Sequence, residues 1–447
     1  MKDGPCTASE PIRCVQDDCD EPEKMTISFA KRQTTPSRTA PLSIKANMLW
    51  NSAGSFTYML AQWLTTVLVV RMSVGFDVAG IYTYVMSIYT IFSSVAEYRM
   101  YAYQVSDIHD EYKVGEYFVF KCLTSCISIV ATMAYAFVTS EPSLWLPIFL
   151  YLIYKDLGLI LDAFHAEEQK KERMDYIGIS VGLQGIGSLM SFWIVFGITQ
   201  NLNWTIFAMA IVTALIGVFY DLPRIRWFAD FKLRISAGKV RKLLVCCFPG
   251  VIALVALAGS GSIPRQYLLT AMGESALGAY GTIAAPLAII QACASYIFNP
   301  LLGYLTVAYE ENDTRRFSRL MGLTVGGTIL VGLACAVLLY FFGDMLYALI
   351  YGEEVLSYMY LIPLLIVSSV TMSFATFLNT LMVALRNFKA TLVGGLLSLA
   401  VSLGTMVPFV WLFQLNGATL SLIAATVVST LVMGLWLLKQ LKEHGRN

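Results

Sequence analysis

The stretch Gly75-Phe76-Asp77-Val78-Ala79-Gly80-Ile81-Tyr82 returns in outline as Gly273-Glu274-Ser275-Ala276-Leu277-Gly278-Ala279-Tyr280, the same G-x4-G-x-Y spacing 198 residues further on. An upstream glycine keeps nearly the same distance from each, Gly54 at 21 residues and Gly250 at 23. Glycine is common in membrane helices, so one copy would carry little. Two copies in register mark a chain built from two related halves. What surrounds each copy then decides the architecture.

Working outward, each copy follows a long uncharged run. Lys45 and Arg71 bracket 25 uncharged residues before the first, and Lys242 and Arg265 bracket 22 before the second. About 20 apolar helical residues cross a bilayer core of about 30 Å. Further runs of 19, 19 and 24 residues lie between Asp77 and Glu97, Lys121 and Glu141, and Arg319 and Asp344. Two longer runs, 176 to 220 and 390 to 438, are broken by turn chemistry at Thr199-Gln200-Asn201-Leu202-Asn203 and Gln414-Leu415-Asn416-Gly417, and each reads as a helical hairpin. Runs 275 to 309 and 355 to 385 add one span each, the former kinked late at Pro300. Residues 144 to 166 form the remaining span, which carries Lys155, Asp156 and Asp162. The total is twelve, six on each side of the midpoint. Six is even, so both halves enter the membrane in the same direction. They are expected to form two six-helix lobes related by a pseudo-two-fold axis along the membrane normal, with a path between them.

Composition agrees with that reading. The chain is 57% hydrophobic and 14% charged, against roughly a quarter charged in a soluble domain. A net charge of +1 from 31 basic and 30 acidic residues lacks the basic face that nucleic-acid binding needs. Lys and Arg sort between alternate connections: 29 of 31, counting the intramembrane Lys155, fall at the ends that the twelve-span count makes cytoplasmic. Arg71 and Arg265 are the exceptions. Both termini are therefore expected on the cytoplasmic side. The expected domains are a disordered segment 1–42 without a signal-peptide pattern, an N-lobe 43–221, an interfacial basic linker 222–242, a C-lobe 243–440 and a tail 441–447. Met25 offers an alternative translation start. Nine Cys without a C-x-x-C and three His without ligand spacing give no metal site, no cofactor and no disulfide framework.

Several stretches carry a family resemblance. Asn47-Met48-Leu49-Trp50-Asn51-Ser52-Ala53-Gly54 opens span 1, and Glu97-Tyr98-Arg99-Met100-Tyr101-Ala102-Tyr103-Gln104 leaves span 2. Glu168-Gln169 and Arg173-Met174-Asp175 precede span 5, Tyr351-Gly352-Glu353-Glu354 precedes span 10, and Asn416-Gly417-Ala418 precedes span 12. With the paired G-x4-G-x-Y, their order and spacing over residues 43 to 440 resemble polysaccharide flippases of the multidrug/oligosaccharidyl-lipid/polysaccharide exporter superfamily. The resemblance implies alternating access and an undecaprenyl-diphosphate-linked oligosaccharide as substrate, for O-antigen, capsule or exopolysaccharide assembly. It also implies membrane lipids around it and a polysaccharide polymerase or glycosyltransferase as candidate partners. A cation-coupled multidrug exporter of the same superfamily is the alternative, and a membrane polymerase or ligase the second. Against an enzyme, H-E-x-x-H and G-x-x-x-x-G-K-[ST] are both missing from the sequence.

Candidate substrate-binding cations are Lys155, Arg99, Arg265, Arg71 and Arg386. For Arg71, Arg265 and Arg386 the blander expectation is snorkelling to headgroups. Asp156, Asp162 and Glu97 are the coupling or pairing acids, and Gly75, Gly80, Gly273 and Gly278 the turn or hinge glycines. Tyr82, Tyr84, Tyr89, Tyr98 and Tyr101 along span 2 are either sugar-stacking or packing residues. Lys155 lies eleven residues inside its span, about 16 Å deep. It is expected to face the central path and hold the diphosphate, with pairing to Asp156, Asp162 or another helix as the competing expectation.

Overall fold

The computed structural model describes residues 39–107, 111–229, 231–385 and 387–444. The expectations placed on residues 1–38, on Arg386 and on residues 445–447 lie outside them. Among the described residues, twelve helices are long and apolar enough to cross a membrane. Spans 1 to 6 run Lys45–Met72, Asp77–Val105, Val114–Thr139, Pro142–Lys170, Met174–Thr199 and Leu202–Phe228. Spans 7 to 12 run Ala237–Met272, Glu274–Asn299, Thr314–Tyr351, Glu353–Ala384, Phe388–Phe413 and Leu415–Glu443. The chain is a multipass membrane protein of two six-helix lobes.

Helix ends follow from local chemistry. Ser43 Oγ accepts from the Ala46 amide at 3.3 Å, Asp313 Oδ1 from Arg316 at 2.9 Å and Asn387 Oδ1 from Ala390 at 3.1 Å, each satisfying a first-turn N–H. Both long runs turn where the sequence says: Gln200 takes a left-handed φ of 49° and Asn201 Oδ1 caps span 6 through Asn203 at 2.9 Å. In the other hairpin Gln414 has φ 51°, and a side chain at Gly417 would run into the Phe409 carbonyl.

Two features differ from the expected layout. Span 8 is interrupted at Ala285–Leu287, a 3-10 turn between Glu274–Ala284 and Ala288–Glu310, whereas the helix continues through Pro300. Pro286 has no N–H to give to the preceding turn, and the tighter winding accommodates the missing bond there. The connection between the lobes is also shorter than 222 to 242. Span 6 passes through a π-turn at Gly217–Asp221 and stays helical to Phe228, and span 7 starts at Ala237.

Within the lobes the backbones approach closely. Gly54 and Gly178 leave no room for a side chain against span 5 and span 1 respectively. In the second half a Cβ on Gly395 would stand 2.9 Å from the Ala253 carbonyl oxygen, and Ser402 Oγ donates to the Ser260 carbonyl at 2.7 Å. Lipid tails are as apolar as the helices, so small residues and interhelical hydrogen bonds supply association that hydrophobicity cannot.

The repeated motif is where the lobes meet. Gly75 and Gly273 turn the chain into spans 2 and 8 with φ of 72° and 87°, a region other residues enter at a cost of about 1 kcal/mol. Side chains on Gly80 and Gly278 would collide with the backbone of Glu274 and Phe76 respectively. This reciprocal contact is the mark of a two-fold relation. At the opposite end, which carries the 229–236 connection, one flank is pinned: Tyr98 Oη donates to the Leu244 carbonyl at 3.0 Å, and Lys239 pairs with Glu116 at 2.7 Å. The turn before span 3 is tied by Asp107, which accepts from Glu111 N at 3.0 Å, Tyr112 N at 3.1 Å and Tyr117 Oη at 2.9 Å. Burial pushes its carboxyl up, but these hydrogen bonds outweigh it and hold the group below its usual range.

Candidate functional site

Between the lobes lies a cavity of about 590 Å³, within the size range of ligand pockets. Span 1 contributes Tyr58, Gln62, Trp63 and Thr66, and span 2 Tyr82, Ser87 and Thr90. The second lobe contributes Ser262 and Arg265 from span 7, Tyr280 and Gln291 from span 8, and Ser368 and Ser369 from span 10. Tyr58 and Gln62, four apart, share one helix face.

Above the cavity the repeat end is sealed. Besides the Gly80 and Gly278 contact, Arg71 crosses between the lobes to cap the end of span 9. Its Nε donates to the Ile350 carbonyl at 2.7 Å and its guanidinium also reaches the carbonyls of Leu349 and Ala348. A cation on the last carbonyls of a helix also complements its dipole. Arg71 is thus engaged by protein in this state. On the linker-end half of span 1, Met48, Leu49 and Phe56 stay exposed.

Arg265 is the one charged residue among the described lining, which includes no carboxylate. Its Nε is buried without a partner. A guanidinium so placed offers donors to an incoming anion. Lys155 stands one layer behind. Its Nζ donates to Gln62 Oε1 at 2.6 Å and to Tyr58 Oη at 3.2 Å. Arg99 occupies a left-handed turn, φ 56°, its Nε buried without a partner; a Cβ on Gly250 would stand 3.2 Å from that nitrogen. It does not line the cavity. Glu97 ends the first helical segment of span 2, at Asp77–Glu97.

The two acids of span 4 also lie off the cavity. Asp156 is 2% exposed with neither oxygen hydrogen-bonded. Asp162 pairs with Lys121 at 3.8 Å and with His165 at 3.3 Å. His165 Nε2 lies 3.2 Å from Ser180 Oγ, whose hydroxyl donates to Asp221 Oδ2 at 2.9 Å. This buried network ties spans 3 to 6 together, and its members Lys121, His165, Ser180 and Asp221 were not singled out in the sequence. The spacing of Asp162 and His165, three apart on one face, was the available signal. Of the five span 2 tyrosines, Tyr82 lines the cavity. Tyr84 packs, its hydroxyl 2.8 Å from Ser140 Oγ. Tyr89 meets Tyr151 edge-on at 5.7 Å, and Tyr101 Oη donates to Gln169.

The molecule is thus a two-lobed, twelve-span membrane protein with a cavity between its lobes. No family model matches the chain. A capsular polysaccharide biosynthesis protein of Staphylococcus aureus, CapF, is 25% identical over 302 residues, 66% of this chain and 74% of that protein. Among solved structures, an inward-facing multidrug resistance MATE family transporter of the MOP superfamily aligns with TM-score 0.65 and 13% identity, covering 87% of this chain and 96% of that one. The lipid II flippase MurJ, in an inward closed conformation, aligns with TM-score 0.67 and 10% identity over 89% and 90%. The chain has the fold shared by these MOP superfamily transporters.

Proposed function

We propose that the chain flips a polyprenyl-diphosphate-linked oligosaccharide across the cytoplasmic membrane for cell-surface polysaccharide assembly, by alternating access. The observation that carries this is the cavity's charge: one arginine with an unpartnered donor and no carboxylate among the described lining, in which tyrosine, tryptophan, serine and glutamine stand among methionine, valine, alanine and leucine. Such a site suits an anionic, hydroxyl-rich head. A cation exporter calls for the opposite sign. The similarity to a capsular polysaccharide protein supports the same substrate class. The repeat end is then external and the basic linker end cytoplasmic, with the exposed linker-end face of span 1 beside the lipid tail.

The test is reconstitution in liposomes. The protein should speed leaflet exchange of a short-chain polyprenyl-diphosphate saccharide and should not move ethidium. Ethidium transport without saccharide exchange would hand the site to the exporter reading. Orientation is checked separately in intact cells. In a Cys-free background, cysteines at Ser140 and Thr199 should react with an impermeant maleimide from outside, and one at Ser318 should not; the reverse pattern would invert the assignment.

A further inference from the structure

Lys155 does not stand where a diphosphate anchor should. Its ammonium is held behind the wall by Gln62 Oε1 and Tyr58 Oη, and the rings of Tyr154, Tyr58 and Tyr151 lie 4.9, 5.4 and 5.7 Å from it. Among the described residues no carboxylate pairs with it. Reaching an anion in the cavity would mean giving up both hydrogen bonds. A lysine at the centre of a span is disfavoured by about 2.5 to 3.5 kcal/mol on insertion scales, so its retention without a counter-ion calls for a task done in place.

That task is visible in its two acceptors, both on the cavity wall. An ammonium can only donate, so it fixes which way each neighbour faces. Gln62 must turn Oε1 to Lys155, and its Nε2 then donates to Tyr154 Oη at 3.0 Å and to Ser188 Oγ at 3.4 Å, so its amide is held within the wall. Tyr58 must present an oxygen lone pair to Lys155, which directs its own proton elsewhere. The wall beside them is neutral, with Trp63, Thr66, Tyr82 and Ser87 set among apolar Met59, Val69 and Met86. Aromatic faces beside hydroxyls and amides suit a sugar ring, while Arg265 on span 7 suits the phosphate.

We propose that Lys155 is a positioning residue for the sugar-binding wall: braced by Gln62, it orients the Tyr58 hydroxyl toward the glycan and takes no part in holding the diphosphate. This rests on the flippase reading. The experiment measures binding of two probes, farnesyl diphosphate and farnesyl-diphospho-N-acetylglucosamine, to the full chain in phosphatidylethanolamine/phosphatidylglycerol nanodiscs. Wild type should bind the sugar-bearing probe more tightly. Lys155→Met should weaken that probe about tenfold, the loss of roughly one hydrogen bond's contribution, and leave farnesyl diphosphate unchanged. Tyr58→Phe should reproduce the loss, the double variant should add nothing to it, and Lys155→Arg should recover part. Equal weakening of both probes by Lys155→Met, or weakening of neither, overturns the proposal. Arg265→Ala should weaken both probes; if it weakens neither, the flippase reading fails while the selectivity of Lys155→Met is still read independently. Wild type that binds neither probe removes both.

Discussion

Arg265→Ala should reduce transport of the lipid-linked saccharide about a hundredfold while the chain still inserts and accumulates. Truncating one partner of a desolvated charge pair costs about 2 to 5 kcal/mol, and 2.7 kcal/mol is a factor of one hundred. The effect is large because no other charged side chain among the described lining could take over. Arg265→Lys should retain part of the rate, since it keeps the charge and loses the forked donors. Its Nε is unpartnered, so the substitution breaks no hydrogen bond at that atom. Wild-type exchange in Arg265→Ala liposomes would end the assignment of this arginine to the substrate.

Gly278→Val should arrest the cycle by a different route. A Cβ there meets the backbone of Phe76 and Gly80, and backbone cannot swing aside as a side chain end can. The lobes could no longer close at the repeat end, although each lobe's own packing would be untouched. Expected is folded protein with little transport, and a cysteine reporter at Ser262 in the cavity labelled from the repeat side. Gly80→Val should behave alike because the contact is reciprocal. Gly75→Ala is the control: nothing lies within 4 Å of a Cβ there, so only the positive-φ strain of about 1 kcal/mol applies. Loss of folded protein in Gly278→Val would make the contact a requirement of assembly instead.

The span layout was legible because the bilayer penalises charge so heavily that charged residues bracket nearly every helix. Lys45, Arg71, Lys242 and Arg265 all did so. The same habit hid the site. Searching for cations found Arg265 and Lys155 but could not say which of them meets open space, since that depends on neighbours far away in sequence. Arg71 read as a headgroup snorkeller because its partners are three backbone carbonyls 277 to 279 residues away, which no side-chain pattern announces. Tyr58 and Gln62 were passed over for being neutral. The kink was expected at Pro300, with Pro286 not considered, and only the packing around Ala285–Leu287 shows which proline the helix yields to.

That yielding point has a mechanical meaning. Ala285 and Leu287 border the cavity, about halfway between the Gly278 seam and the far half of span 8, while span 2, its counterpart, runs unbroken from Asp77 to Glu97. A helix already short of a hydrogen bond at Pro286 can change its angle there without giving up another. The segment Glu274–Ala284 can therefore stay clamped on span 2 while Ala288–Glu310 swings. The door and its frame are cut from one helix, so a change of width at the linker end need not disturb the contact at the repeat end.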